Sequence, residues 1–150
     1  MKPLYVLLGA FIACLIISRF GFGEFNYSLS GRIAMSTMLL FTAIGHFAFS
    51  KGMILMMPDF IPFKKTLVYF TGLVEVAAAV GLLIHPLQHI TAILLIIFFI
   101  LILPANINAA RKHIDFQKAT NEGNGMIYLW FRIPLQVLFI AWVFYFSIYL

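Results

Sequence analysis

In a chain of 150 residues, 63% hydrophobic and only 10% charged, with a mean hydropathy of +1.04, there is more apolar side chain than a water-surrounded core can bury. The excess needs lipid to face, and no loop is long enough to hold a second domain, so residues 1–150 read as a single transmembrane domain. The net charge of +5 would suit nucleic acid, but the Lys and Arg residues flank hydrophobic segments instead of forming a stripe with interleaved aromatics; headgroup contact and topology explain them better.

Five hydrophobic segments follow one another. The first, about 3–22, contains the lone cysteine, Cys14, which reads as a small buried hydrophobe; one cysteine permits no intramolecular disulfide and no thiolate metal cluster. Lys2 gives a positive start, yet no small-x-small cleavage site precedes a soluble region, so the segment is expected to stay as a helix. Gly21, Gly23, Asn26, Ser28, Ser30 and Gly31 mark a loop before the second segment, about 33–50. Met57-Pro58-Asp59-Phe60-Ile61-Pro62-Phe63-Lys64-Lys65 forms a short, greasy, interfacial loop before the third, about 66–84, where Gly72, Ala77 and Gly81 offer a face for close helix packing. His85-Pro86 turns the chain into the fourth, about 90–109. The longest polar loop, 111–125, leads to the fifth, about 126–149. Each segment is near the roughly 20 residues that cross a hydrocarbon core of about 30 Å. Lipid leaves backbone amides no partner outside the segment, so the expected fold is all-α, a polytopic transmembrane helix bundle.

Orientation follows from the basic residues. With five spans, Lys2, Lys51, Lys64, Lys65, Arg111, Lys112 and Lys118 fall on one side and only Arg19 and Arg32 on the other. The expectation is a multi-pass protein of the cell (plasma or inner) membrane with its N-terminus cytoplasmic.

Helix direction converts position into depth. His46 falls roughly 6–8 Å inside the cytoplasmic face, Asn106 about 7 Å, Arg132 about 10 Å, and Glu75 and Gln136 about 15 Å. Arg132 and Gln136, four apart, share one helix face. These five form a polar layer in the cytoplasmic half, with nothing comparable expected in the outer half. Arg132 can snorkel to headgroups; Glu75, near mid-bilayer, has to be protonated or paired. A Glu75–Arg132 pair, with Asn106 and Gln136 completing the hydrogen bonds, is the simplest arrangement. Pro104 and Pro134 each remove a helix hydrogen bond, freeing the carbonyls of Ile100 and Trp130 next to this layer. No metal site is expected, and a haem held by two histidines would need a partner for His46 at matching depth, whereas His85 and His89 fall at the opposite face and His113 in a loop.

The motifs Gly45-His46-Phe47, Met57-Pro58-Asp59-Phe60-Ile61-Pro62, Leu67-Val68-Tyr69-Phe70-Thr71-Gly72-Leu73-Val74-Glu75, Leu103-Pro104-Ala105-Asn106-Ile107 and Arg132-Ile133-Pro134-Leu135-Gln136 resemble, in this order, the DoxX family of small membrane proteins. The resemblance covers about residues 33–145. It implies a four-helix core with one extra N-terminal helix, and a redox-associated role with a quinone and a soluble or membrane redox partner.

Two classes of function suit the polar layer. In the first, His46, Glu75, Asn106, Arg132 and Gln136 line a pocket for a quinone or similar small apolar molecule, its oxygen met by Arg132, Gln136 or Asn106 and its proton handled by Glu75 and His46. In the second, the layer shapes a non-enzymatic membrane subunit or assembly chaperone, or recognises a partner helix; self-association into a homo-oligomer belongs with this reading. No catalytic residue and no reaction is assigned. A transporter fits less well, because the layer stops half way and no repeat surrounds a midplane site.

Overall fold

The computed structural model describes residues 2–150, the side chain of Phe22 excepted. The described residues are helical, with a single isolated β-bridge between Asp115 and Thr120. In chain order the α-helices are α1 (Lys2–Phe22), α2 (Tyr27–Ala48), α3 (Ser50–Met56), α4 (Lys64–Gly81), α5 (Gln88–Leu101), α6 (Leu103–Arg111) and α7 (Met126–Phe144); a 3-10 turn, His85–Leu87, precedes α5 and a π-helical turn, Tyr145–Tyr149, follows α7.

Three stretches are long and apolar enough to cross a membrane: Lys2–Gly21, His85–Arg111 and Met126–Tyr149. A fourth exists if α2 and α3, bent by 91° across Phe49, are taken together. Five spans were expected. The one that falls short is α4, only 18 residues long and burdened with Lys64, Lys65 and Glu75. The spans turn large apolar side chains outward (Phe20 is 87% exposed, Leu101 70%, Val137 60%). Surface of this kind is stable against acyl chains and not against water.

In the main core cluster Leu7 of α1, Met35, Met38 and Leu39 of α2, Ala78 and Ala79 of α4, Ala92, Leu95 and Phe99 of α5, and Leu135, Phe139 and Val143 of α7 meet; a smaller one joins Met56, Ala109 and Ile114. Small residues let the helices approach. A Cβ on Gly72 of α4 would lie 2.9 Å from His46 Cβ of α2, so these two helices come into close contact where the polar layer sits.

Turns are held by local chemistry. Asn26 caps α2 by accepting from the Leu29 amide at 3.0 Å, and Ser18 ties the same turn, donating to Glu24 O and accepting from the Asn26 amide. Pro104 sits at the start of α6, where Ile102 separates α5 from α6, whereas Pro134 lies inside an unbroken α7. The loop 111–125 folds back on itself. Asp115 Oδ1 accepts from the amides of Gln117 and Lys118, Gly123 N donates to His113 O, and the Phe116 backbone presses on Gly52 of α3.

Polarity is also placed where the sequence reading expected none. At the end of the molecule opposite the loop 111–125, buried Gln88 receives a hydrogen bond from Arg32 and donates to Ser147 O at 3.0 Å, while Trp142 Nε1 donates to Gly31 O at 3.0 Å. Gln88 opens α5 instead of lying in a loop, so its amide points into the bundle and ties α2, α5 and the C-terminal turn together.

Candidate functional site

The start of α1, the second half of α2, Met53 and Met56 of α3, the first turns of α4, the α5–α6 break, the loop 111–125 and the middle of α7 surround one cavity of about 380 Å³. All five residues of the polar layer line it: His46, Glu75, Asn106, Arg132 and Gln136. The rest of the wall is mostly apolar, with Met38, Met53, Met56 and Met57, Phe49, Phe99, Phe116 and Phe139, and Leu135. That volume and that mixture, an apolar wall with a few converging polar groups, are those of a small-molecule site. The methionines add a lining that adapts to shape.

The layer divides into two sets. In the first, His46 Nδ1 lies 3.1 Å from Thr71 Oγ and His46 Nε2 lies 3.4 Å from Glu75 Oε1. Thr71 and Glu75 are one turn apart on α4, and Gly72 between them admits the base of the His46 side chain. Glu75 is 5% exposed, and its second oxygen, Oε2, is buried without a hydrogen-bond partner. In the second set, Asn106 Nδ2 donates to Gln136 Oε1 at 3.1 Å, Tyr128 OH donates to Asn106 Oδ1 at 3.4 Å, and Gln136 Nε2 donates to Phe99 O. Gln136 thereby bonds a carbonyl close to the break that Pro104 marks. Asn106 and Gln136 are buried, at 3% and 6% exposure.

Arg132 belongs to neither set. The expected Glu75–Arg132 pair does not form: Glu75 turns to His46, which the α2–α4 contact at Gly72 brings next to it, and half-buried Arg132 has neither a hydrogen bond nor an ion pair with any described residue. Arg132 lines the cavity, and its guanidinium is a set of donors without a partner among the described residues. Thr71 and Tyr128 were missed in the sequence. Their spacing could have found them: Thr71 precedes Glu75 by four, and Tyr128, Arg132 and Gln136 recur every four residues on α7.

The end of the bundle beside the loop 111–125 is stitched by polar contacts. Asn108 Nδ2 donates to Met56 O at 2.8 Å, and Asp59 binds Lys112 at 2.6 Å and Lys64 at 3.3 Å. The hydrogen bonds from Lys112 and then Lys64 hold the exposed Asp59 carboxyl below the usual carboxylate range. A larger and more open concavity, about 1030 Å³, lies at the other end beneath the α1–α2 turn. Its Ser18 and Asn26 side chains are spent on the turn itself. Among the described residues no three His, Cys, Asp or Glu side chains are grouped closely enough to hold a metal ion.

Fold and site together define a class: an all-helical chain with membrane-length helices and a buried polar cavity. Its family is the domain of unknown function DUF8561, whose model matches residues 35–147; the chain belongs to it. Helix α1 lies outside the match. Comparison with the curated proteins and with the solved structures finds no match. The resemblance to DoxX is therefore corrected: the matching family is a different one. Its motifs are short pieces of apolar helix punctuated by Pro, Gly, His and Asn, which helix packing and helix breaks call for in any small membrane bundle.

Proposed function

We propose that this chain is a multi-pass protein of the cell membrane, its N-terminus cytoplasmic, whose cavity in the cytoplasmic half binds a small lipophilic molecule with an oxygen-bearing head. The observation that carries the reading is Glu75 Oε2, a buried carboxylate oxygen without a partner, on a side chain that lines a 380 Å³ cavity. A protein selected only for a stable bundle has cheaper contacts available, since leaving a buried acceptor unpaired costs about 1–3 kcal/mol and membrane helices pack well on small residues alone. An occupant that reaches Oε2 removes that cost. The apolar wall suits its body, and the free Arg132 suits an electron-rich oxygen on it.

The test is made on protein purified in mild detergent, wild type beside Glu75→Met, by ultraviolet–visible spectroscopy and mass spectrometry of the organic extract. A stoichiometric oxygen-bearing lipophile, lost in the variant while the protein stays folded, is the expected result. Bulk lipid alone in both extracts overturns the reading in favour of a membrane subunit or assembly chaperone.

A further inference from the structure

Thr71 Oγ has one proton and donates it to Val68 O at 2.8 Å. With that bond made, the hydroxyl can only accept from His46 Nδ1, 3.1 Å away, and this favours the tautomer with the N–H on Nδ1. The other ring nitrogen, Nε2, faces Glu75 Oε1 at 3.4 Å. Paired across that distance as imidazolium and carboxylate, the two leave Oε2 without a proton. It is an acceptor only, buried, with no donor among the described residues.

Across the same cavity the guanidinium of Arg132 is the reverse, a donor with no acceptor. The buried amides are engaged elsewhere, Asn106 with Gln136 and Gln136 with the Phe99 carbonyl, and Lys2 and Gln117, which also line the cavity, are exposed. The unmet demands of the buried Glu75 and the half-buried Arg132 are thus of opposite sense.

Resting on the reading that the cavity holds a lipophile, we infer that the head of that lipophile is two-faced, with a hydroxyl that donates to Glu75 Oε2 and a carbonyl oxygen that accepts from Arg132. A head with acceptors alone leaves Oε2 unpaired, and one with a hydroxyl alone leaves Arg132 unpaired. The site therefore selects lipophilic hydroxy-carbonyl compounds over their fully oxidised or deoxygenated analogues, because a site built around buried polar groups rejects a ligand that lacks their partners.

Three redox-inert probes separate the two demands. Heptyl para-hydroxybenzoate has both groups, heptyl para-methylbenzoate replaces the hydroxyl by an isosteric methyl, and para-octylphenol keeps the hydroxyl without the carbonyl. Binding to the full-length protein in mild detergent is measured by equilibrium dialysis against protein-free micelles. The hydroxybenzoate is expected to bind about tenfold or more tightly than either analogue, the gain of one hydrogen bond to a charged group. Its advantage over the methylbenzoate should vanish in Glu75→Met, and its advantage over the phenol in Arg132→Met. Arg132 is half-buried and unpartnered, so its replacement keeps the test usable if Glu75→Met fails to fold. Equal binding of all three probes overturns this inference and leaves the pocket reading standing. No saturable binding of any probe overturns both.

Discussion

Replacing His46 and Glu75 together separates a pair kept for function from one kept for stability. His46→Leu alone strands the Glu75 carboxylate in a site 5% exposed, and an ion left without its partner in such a place costs about 3–5 kcal/mol. Glu75→Met alone strands His46 Nε2, whose side chain is 16% exposed, at about 1–3 kcal/mol. Independent effects would add to about 4–8 kcal/mol in the double variant. Removing both groups, however, strands neither. Thr71 keeps its bond to Val68 O, the orphaned Oε2 disappears, and apolar side chains of similar volume fill the space. Such swaps of buried pairs are neutral or stabilising by about 1–4 kcal/mol. The double variant should therefore be at least as stable as wild type, with a coupling of about 4 kcal/mol or more between the sites. Steric trapping in bicelles, or unfolding in graded SDS, measures all four corners of the cycle. A double variant that loses close to the sum of the singles refutes the reasoning and makes the pair part of the scaffold.

Gly72→Ala places a Cβ 2.9 Å from His46 Cβ, an atom fixed to the backbone, so α2 has to move off α4; a loss of about 1–3 kcal/mol in the same unfolding assay is expected, together with weaker probe binding as the already long His46–Glu75 contact opens. Gly52→Ala meets a harder obstacle, the Phe116 carbonyl at 1.9 Å. Residues 112–125 should lift off α3, seen as faster amide exchange in that loop, and unchanged exchange would refute the docking. For Asp59 the folded pKa lies below its ordinary value of 3.8, chiefly through the hydrogen bond from Lys112. The tie is therefore complete at neutral pH, persists through 3.8 and is lost only as the pH falls through the lower folded value. Amide exchange around 57–64 and 112–118 should stay flat on acidification until below that point, and Asp59→Asn should show the loosened state already at neutral pH.

The polar layer was legible in the sequence because depth is counted along helices: 1.5 Å per residue from a helix end puts His46, Glu75, Asn106, Arg132 and Gln136 near one level, and one cavity touches all five. Pairing within the layer was not legible. Hydropathy and depth say nothing of which helices touch, and the choice of His46 over Arg132 for Glu75 is made by Gly72, whose missing Cβ sets the approach of α2 to α4. The bend at Phe49 was equally hidden, because residues 50–56 are greasy enough to prolong a span or to lie across its end. The fourth segment was expected to begin near residue 90, because Pro86 signals a break without saying where the next helix begins, so Gln88 at the start of α5 went unremarked. The five short motifs misled about family for a related reason. They report local demands, a small residue here and a proline there, that unrelated bundles share, whereas the match over residues 35–147 weighs the whole arrangement.

The close approach of His46 to Glu75 bears on how this cavity responds to an energised membrane. A charge carried across the full bilayer gains about 2.3 kcal/mol for each 100 mV. The gap from Nε2 to Oε1 is 3.4 Å, about a tenth of a hydrocarbon core near 30 Å. Shifting a proton from one atom to the other couples to voltage by at most about 0.3 kcal/mol per 100 mV, and it leaves the net charge of the pair at zero. Polarising or depolarising the membrane therefore hardly biases which atom holds the proton, and a molecule seated against Glu75 meets much the same electrostatic surroundings in a resting cell as in a fully energised one.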